Sequence, residues 1–421
     1  MMERFMRKLT VASIASVCMV PMLFASQDAS AIPSFARKYG TSCYTCHSGF
    51  PNRNAFGEAF KNNGYRWPGG EDEDKSKQEQ LKMGADGWKK TFPESPWPAE
   101  IPGYAPIAIW VRGNLVDYSD AVKTPAGANI TNQKFQWGNG IFNNATIFFG
   151  GTMGDNLSAF VQYSPLAPTA TAQSTTTVST NTTGQLVWNF KPGLKLGFGN
   201  GFSDLSFGNQ TNIGSVSSLV PTFGTGAELV YIPKDYFKLT AGIAQGGVAT
   251  ANSMADSKYV RGKYKIGGAG LLSGAGGTYG NEFVGLDNNI TFGATAFQAA
   301  PGTATGSFAI GSRTERFVYE ADVTGNYGSF MGSFGVSRST TLSKNNLRGD
   351  VGYFFYPWLK GTASYISMQD ALQPSVAFAL ATHLRANASL TATYSHSTRE
   401  FNTARTQTNP NTFTLAGAFA F

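Results

Sequence analysis

Two cysteines and a histidine stand together in Cys43-Tyr44-Thr45-Cys46-His47. This is the spacing at which a chain attaches haem covalently. The two thiols can add to the porphyrin vinyl groups, giving two thioether links. His47, directly after the second thiol, then lies under the porphyrin and can give iron one axial nitrogen. Its other ring nitrogen needs a polar neighbour to fix the tautomer. A thioredoxin-like dithiol is the rival reading, and a structural disulfide is a third. No βαβ pattern surrounds the pair, and a histidine holds the position a haem ligand requires.

The chemistry must be read with the compartment. Residues 1–31 have the form of a secretory signal, with Arg4, Arg7 and Lys8 before an apolar stretch and Ala29-Ser30-Ala31 as cleavage site. The remaining cysteine, Cys18, lies in that apolar stretch. A lipoprotein role for it is weak, because bulky Val17 precedes it. Cleavage would remove three cations and two anions, lowering the formal charge of +7 by one. No Lys/Arg-rich run with interleaved aromatics appears, so nucleic acid is not an expected partner. Nothing has the form of a Ser-His-Asp set, a phosphate loop or a zinc site.

Charged residues make up 14% of the chain, against about 25% in ordinary soluble domains. Aromatics make up 13% and glycines number 49, yet no run after the signal is apolar enough for a spanning helix. An exported chain of this kind fits an outer-membrane β-barrel, facing lipid outside and water inside. A secreted β-sandwich is the competing class.

Residues 32–70 read as a small α-helical c-type cytochrome module. Phe35 and Tyr39 are apolar neighbours for a porphyrin face, and Arg37 and Lys38 could pair with its propionates. After His47, Phe56 and Phe60 are four apart and share one helix face. Asn52 or Asn54 can cap that helix, and Gly64 suits its left-handed stop. So short a helix is marginal alone, and a unit this small needs a staple such as covalent haem.

Pro33-Ser34-Phe35-Ala36-Arg37-Lys38-Tyr39-Gly40, the CxxCH, Phe50-Pro51, Phe56-Gly57, Phe60 and Gly64-Tyr65 together resemble the fused outer-membrane monohaem cytochrome c–porins of iron-oxidising bacteria. The resemblance covers about the first 35 residues after the signal. It implies one covalent haem c and electron transfer from extracellular Fe(II), or another redox donor, to a periplasmic c-type cytochrome. Fe(II) oxidase activity would follow from that. Similar fusions occur in metal-reducing bacteria, so electron export to extracellular Fe(III) stays open. A diffusion porin with a haem plug or sensor stays open too, as does a periplasmic cytochrome on a non-membrane β-domain.

Residues 71–104 read as a tether. Glu71-Asp72-Glu73-Asp74 is an acidic run that reads as solvated linker or as a docking patch. Pro93, Pro96, Pro98, Pro102 and Pro106 then stiffen the chain, and Trp88, Trp97 and Tyr104 can pack it on a barrel wall.

Residues 105–421 read as an all-β antiparallel transmembrane barrel. Phe317, Tyr319, Ala321 and Val323 alternate with Arg316, Glu320 and Asp322, and Leu347, Val351, Tyr353 and Phe355 with Arg348 and Asp350. Tight turns recur at Gly154-Asp155-Asn156, Lys191-Pro192-Gly193, Pro233-Lys234-Asp235, Asp287-Asn288-Asn289, Asn326-Tyr327-Gly328, Tyr356-Pro357-Trp358 and Arg385-Ala386-Asn387. Seven turns imply eight hairpins and about 16 strands. The last strand, residues 412–421, alternates Phe413, Leu415, Phe419 and Phe421 with small residues, and resembles a terminal assembly signal. A barrel of this size leaves an aqueous lumen, for which the haem module is a natural plug.

The second axial ligand is not fixed by spacing. Met83 in the tether ranks first and His383 second. Met331 shares the lumen-facing parity of His383, and His396 has the opposite parity. For all of these, gap-filling methionine or turn histidine is the bland reading.

Overall fold

The computed structural model describes residues 35, 38–39, 45–49, 52–68, 107–123, 129–138, 144–153, 156–166, 181–200, 225–244, 257–273, 280–281, 285–299, 316–340, 345–367, 374–385, 388–398 and 411–420. The signal, Cys43, Arg37, the acidic run, Met83 and the proline-rich tether lie outside these residues.

Sixteen long strands close into one antiparallel barrel. The first eight are β1 (Ile107–Ser119), β2 (Asn144–Met153), β3 (Leu157–Leu166), β4 (Asn181–Lys191), β5 (Leu194–Gly199), β6 (Gly226–Lys234), β7 (Phe237–Ala244) and β8 (Ser257–Ile266). The second eight are β9 (Asn289–Ala299), β10 (Arg316–Tyr327), β11 (Phe330–Ser339), β12 (Asn346–Tyr356), β13 (Leu359–Ser367), β14 (Ser375–Arg385), β15 (Ala388–Ser397) and β16 (Asn411–Ala420). Each strand pairs with its sequence neighbour, and β16 returns to pair with β1. A short strand, Lys134–Trp137, takes the edge of β1 above the reach of β2.

The period of two sets which side each residue faces. On β10, Phe317 and Tyr319 are exposed on the outer wall, while Glu320 and Asp322 are buried inside. On β12, Val351, Tyr353 and Phe355 face out, and Arg348, Asp350 and Phe354 face in. On β7, Leu239 and Ile243 face out, and Lys238 and Thr240 face in. An apolar outer belt around a polar lumen, with no open sheet edge, is the arrangement that spans a bilayer with strands. The fold is that of a bacterial outer-membrane barrel. Among the described residues, no helix is long and apolar enough to cross a membrane.

Six of the seven expected turns join neighbouring strands closely. The turn expected at Asp287-Asn288-Asn289 does not. β8 ends at Ile266 and β9 begins at Asn289, and of the chain between them the described residues 268–273 and 285–287 pack on the inner wall. Leu271 packs on Val230 and Ile232 of β6, and Leu286 packs with Met331 and Phe354. Lys265 Nζ fixes the inserted segment by donating to Asp287 Oδ2 and to Ala269 O, each at 2.6 Å. The segment is glycine-rich and has no period, so alternation could not reveal it.

The lumen wall carries buried ion pairs. Arg261 on β8 meets Glu320 at 3.1 Å and Asp322 at 2.8 Å across β9, and Thr295 Oγ1 at 2.7 Å. Arg348 and Asp350 pair at 2.8 Å on β12. Removing one partner strands the other charge. Arg261→Met is expected to cost about 3–5 kcal/mol, because two carboxylates lose their shared cation. The measure is a lower unfolding temperature of the detergent-solubilised barrel.

The N-terminal segment corrects one expectation. Residues 32–70 were expected to form a small α-helical module. The described part holds one helix, α1 (Ala55–Asn62), and a two-strand pair, His47–Gly49 with Asn52–Arg53. These elements stand inside the barrel and bond to its inner wall. A helix of eight residues has too little surface to make a core of its own, so it uses the barrel's.

Candidate functional site, a lumenal plug carrying Cys46 and His47

The cap of α1 is built from a residue flagged by its type. Gly57 N–H donates to Asn54 Oδ1 at 2.9 Å. Asn54 N–H in turn donates to Cys46 O at 3.0 Å, which ties the haem-type motif to the first turn of α1. Gly57 is necessary to this approach, because a Cβ there would overlap the Cys46 carbonyl. His47 pairs with Arg53 in the short ladder beside it.

An aromatic cluster wraps the helix. Phe56 meets Trp67 at 4.8 Å, Trp67 meets Tyr39 at 5.4 Å, Tyr39 meets Phe60 at 5.7 Å, and Phe60 meets Phe35 at 5.3 Å. Gly64 and Tyr65 both have positive φ, and the bend swings Tyr65 between Phe35 and Phe160 of β3. Phe160 stacks on Phe148, and Phe148 on Trp110, so the cluster runs unbroken into the barrel wall. Phe35, Tyr39, Phe56 and Phe60 are thus gathered as expected. Trp67 was not singled out in the sequence, although its place just after Gly64-Tyr65 follows the helix stop.

The helix end is held by the wall. Lys195 Nζ of β5 donates to Lys61 O at 2.7 Å, and Lys238 Nζ of β7 donates to Asn62 Oδ1 at 2.7 Å. Both cations sit at the negative end of the helix. Asn62 and Asn63 side chains donate to Leu271 O and Leu272 O at 2.9 and 3.0 Å. Arg66 donates to Leu157 O at 3.2 Å. Lys38, which could pair with propionates, donates to Thr152 Oγ1 on β2 at 2.7 Å. Sequence reading missed the two wall lysines, although lumen parity near the strand ends was their signal.

Glu58 pairs with Arg53 at 3.0 Å beside a polar cavity of about 80 Å³ that Lys263, Asp287 and Asp322 also line. Burial pushes its carboxyl up, but the charges of Arg53, Lys263, Lys238 and Lys61 outweigh that and hold it well below the usual carboxylate range. Its contribution to docking is therefore complete above its ordinary value of 4.5 and is lost only as pH falls through the depressed one. The plug is expected to resist protease down to below that ordinary value. Release above it would contradict the assignment, and Glu58→Gln should loosen the plug at neutral pH.

The other candidate ligands separate clearly. His383 lies on the lumen side of β14 at 7% exposure. Met331 is buried in apolar packing with Leu286 and Phe354. His396 is exposed on β15, its Nδ1 3.0 Å from Asn411 Oδ1. Among the described residues, no three His, Cys, Asp or Glu side chains cluster as a metal site.

No family model matches the chain, and no curated protein matches it. Solved outer-membrane barrels do. A loop-deletion mutant of OmpT, an outer membrane protein of Vibrio cholerae, aligns at TM-score 0.41 and 11% identity, over 75% of this chain and 99% of that one. The outer membrane channel DcaP of Acinetobacter baumannii aligns at 0.48 and 10%, over 75% and 96%. A mutant of Rh. blastica porin aligns at 0.45 and 10%, over 75% and 99%. These are similarities of barrel shape alone, and the closed strand order above is what defines the fold here.

Proposed function

We propose that this chain is an outer-membrane electron-transfer protein, moving electrons between an extracellular donor, Fe(II) foremost, and a periplasmic c-type cytochrome. One observation carries the reading: the Cys46-His47 segment rests on a helix bonded to the inner wall of a closed barrel. Cys43 and Cys46 would hold haem c by thioethers, and His47 would give iron one axial nitrogen. The residues fit the group. The backbone of Cys46 lies against Gly57, the residue after Phe56 of the aromatic cluster, so the motif's second cysteine and its histidine are carried at the start of the helix. Bound there, haem supplies a one-electron carrier within the wall.

The chain's own residues do the rest. Electrons must cross an apolar band about 25 Å tall, which a cofactor confined to the periplasm would not bridge. Lys195, Lys238 and Arg66 hold the plug on the inner wall at the tight-turn end of the barrel, from which a bound carrier would reach into the lumen. Phe35, Tyr39, Phe56, Phe60 and Trp67 give the helix beside the motif an apolar wall on which a porphyrin face could pack. The N-terminal motifs that resemble cytochrome–porins support the same reading. The test is an optical spectrum of the purified outer-membrane protein before and after anaerobic Fe(II). Sharp reduced-haem bands are expected. A haem that answers dithionite and ignores Fe(II) would remove Fe(II) as donor.

A second reading is a diffusion porin with a haem plug. It is favoured by the porin-like barrel and by the lumen's hydroxyl and amide lining, with Thr240, Thr295, Ser333, Ser337 and Asn346 facing in. It expects large open-pore conductance from the intact chain in planar bilayers.

A further inference from the structure

The outer wall of β6 to β12 is apolar almost throughout, and two cations break it. Lys258 on β8 and Arg338 on β11 are exposed, with the outward parity of Val260 and Phe334. Neither side chain has an ion-pair or hydrogen-bond partner among the described residues. The carboxylates described on these strands cannot supply one. Glu228, Glu320, Asp322 and Asp350 are all buried on the lumen side.

The two cations stand at one height. Lys258 is eight residues from Ile266 and Arg338 eight from Phe330, the ends of their strands on the tight-turn side. At a rise of ~3.3 Å per residue and a tilt of ~40°, that is about 20 Å up the wall. The apolar band is about 25 Å tall, so both lie near its far edge. The long segments between strands lie beyond that edge, which makes it the extracellular one. A cation in mid-band would face hydrocarbon, whereas at this level it meets the headgroups of the outer leaflet. β8 and β11 are three strand spacings apart, about 14 Å.

Beneath the cations the wall is hollowed. Gly262, Ala294, Ala296 and Ala321 lie side by side on β8, β9 and β10. A Cβ added to Gly262 would meet nothing within 4 Å. Exposed rings of Tyr264, Phe292, Tyr319 and Phe334 stand around this patch. Tyr319 is the register partner of Arg338, and Gln298 that of Lys258. One strip of wall thus offers two separated cations above a shallow apolar seat.

We infer that the outer wall of β8 to β11 binds the phosphorylated, multi-acyl glycolipid of the outer leaflet, lipid A. Its phosphates meet Lys258 and Arg338, and its acyl chains lie in the hollow. Phosphate oxygens accept from both groups, and the planar guanidinium can bond two oxygens at once. A second copy of the chain fits this wall less well, because the matching strip of a partner would bring two further cations and no outward carboxylate. The inference is independent of the haem reading.

The test is native mass spectrometry of detergent-purified full-length protein titrated with bisphosphorylated lipid A. The wild type is expected to bind at least about tenfold more tightly than Lys258→Gln/Arg338→Gln, which loses two charge-assisted contacts. Lys191→Gln/Lys234→Gln removes two exposed cations at the tight-turn end and is expected to bind like the wild type. Ala294→Trp fills the hollow, keeps both cations and is expected to bind weakly. Inorganic phosphate is expected not to compete, since it brings no acyl chains. Heat-modifiable gel mobility verifies that each variant is a folded barrel. Equal binding by the wild type and folded Lys258→Gln/Arg338→Gln would overturn the inference. So would competition by inorganic phosphate alone. Wild-type oligomers that Ala294→Trp dissociates would overturn it too, because a second copy would then cover this wall.

Discussion

Replacing Cys43 and Cys46 together with alanine is expected to strip haem from the protein and leave a folded barrel. Covalent haem survives denaturing gels only through its thioethers, so in-gel haem staining at the outer-membrane band should fall to background. Fe(II)-dependent reduction should fall with it, by more than about tenfold, since the haem is the proposed electron carrier. The barrel should persist. Its sixteen strands are joined by strand–strand ladders, with β16 on β1 closing the circle, and none of those pairings involves residues 43–47. His47→Ala should differ in kind: staining remains while the spectrum turns high-spin, because attachment and ligation reside in different side chains. A dithiol or disulfide reading makes the opposite forecast, with no stain in the wild type and none to lose.

The barrel was legible because two physical constraints write themselves into sequence at short range. Lipid outside and water inside force alternation, so Phe317 and Tyr319 against Glu320 and Asp322 read directly as outer and inner wall. Tight turns need glycine, proline or asparagine, so Pro192-Gly193 could be recognised, and Gly193 does adopt φ of +76°. The capping Asn54 and the stop at Gly64 were legible for the same local reason.

What failed is long-range. The segment after β8 has no period, and its anchor, the Lys265–Asp287 pair, closes over strands that alternation treats separately. Lys195 and Lys238 could be placed on the lumen side, but their partners lie 134 and 176 residues away on α1. Nothing local says what an inward lysine will meet. The wall that the N-terminal helix packs against was hidden for a related reason. Phe56 and Phe60 announce a buried helix face, and the surface that buries it, through Tyr65 and Phe160, belongs to the barrel.

That dependence sets the largest expected effect on transport. Deleting residues 33–68 behind an intact signal is expected to raise single-channel conductance by at least about tenfold, because a barrel of sixteen strands leaves a wide aqueous lumen once nothing fills it. Deletion removes the acceptors that Lys61 and Asn62 offer to Lys195 and Lys238, and it removes Glu58 from beside Lys263. The mouth of the opened pore is then cationic along β5 to β8, while Arg261 offsets one of the two charges of Glu320 and Asp322. Reversal potentials in a salt gradient should accordingly show anion preference, weakened in Lys195→Met and Lys238→Met versions of the deletion. The intact chain separates the two functional readings. An electron conduit must keep ions from leaking, so it should conduct little until the plug is removed. A diffusion porin should conduct nearly as well with the plug as without it, and equal conductance would mean that α1 does not close the lumen.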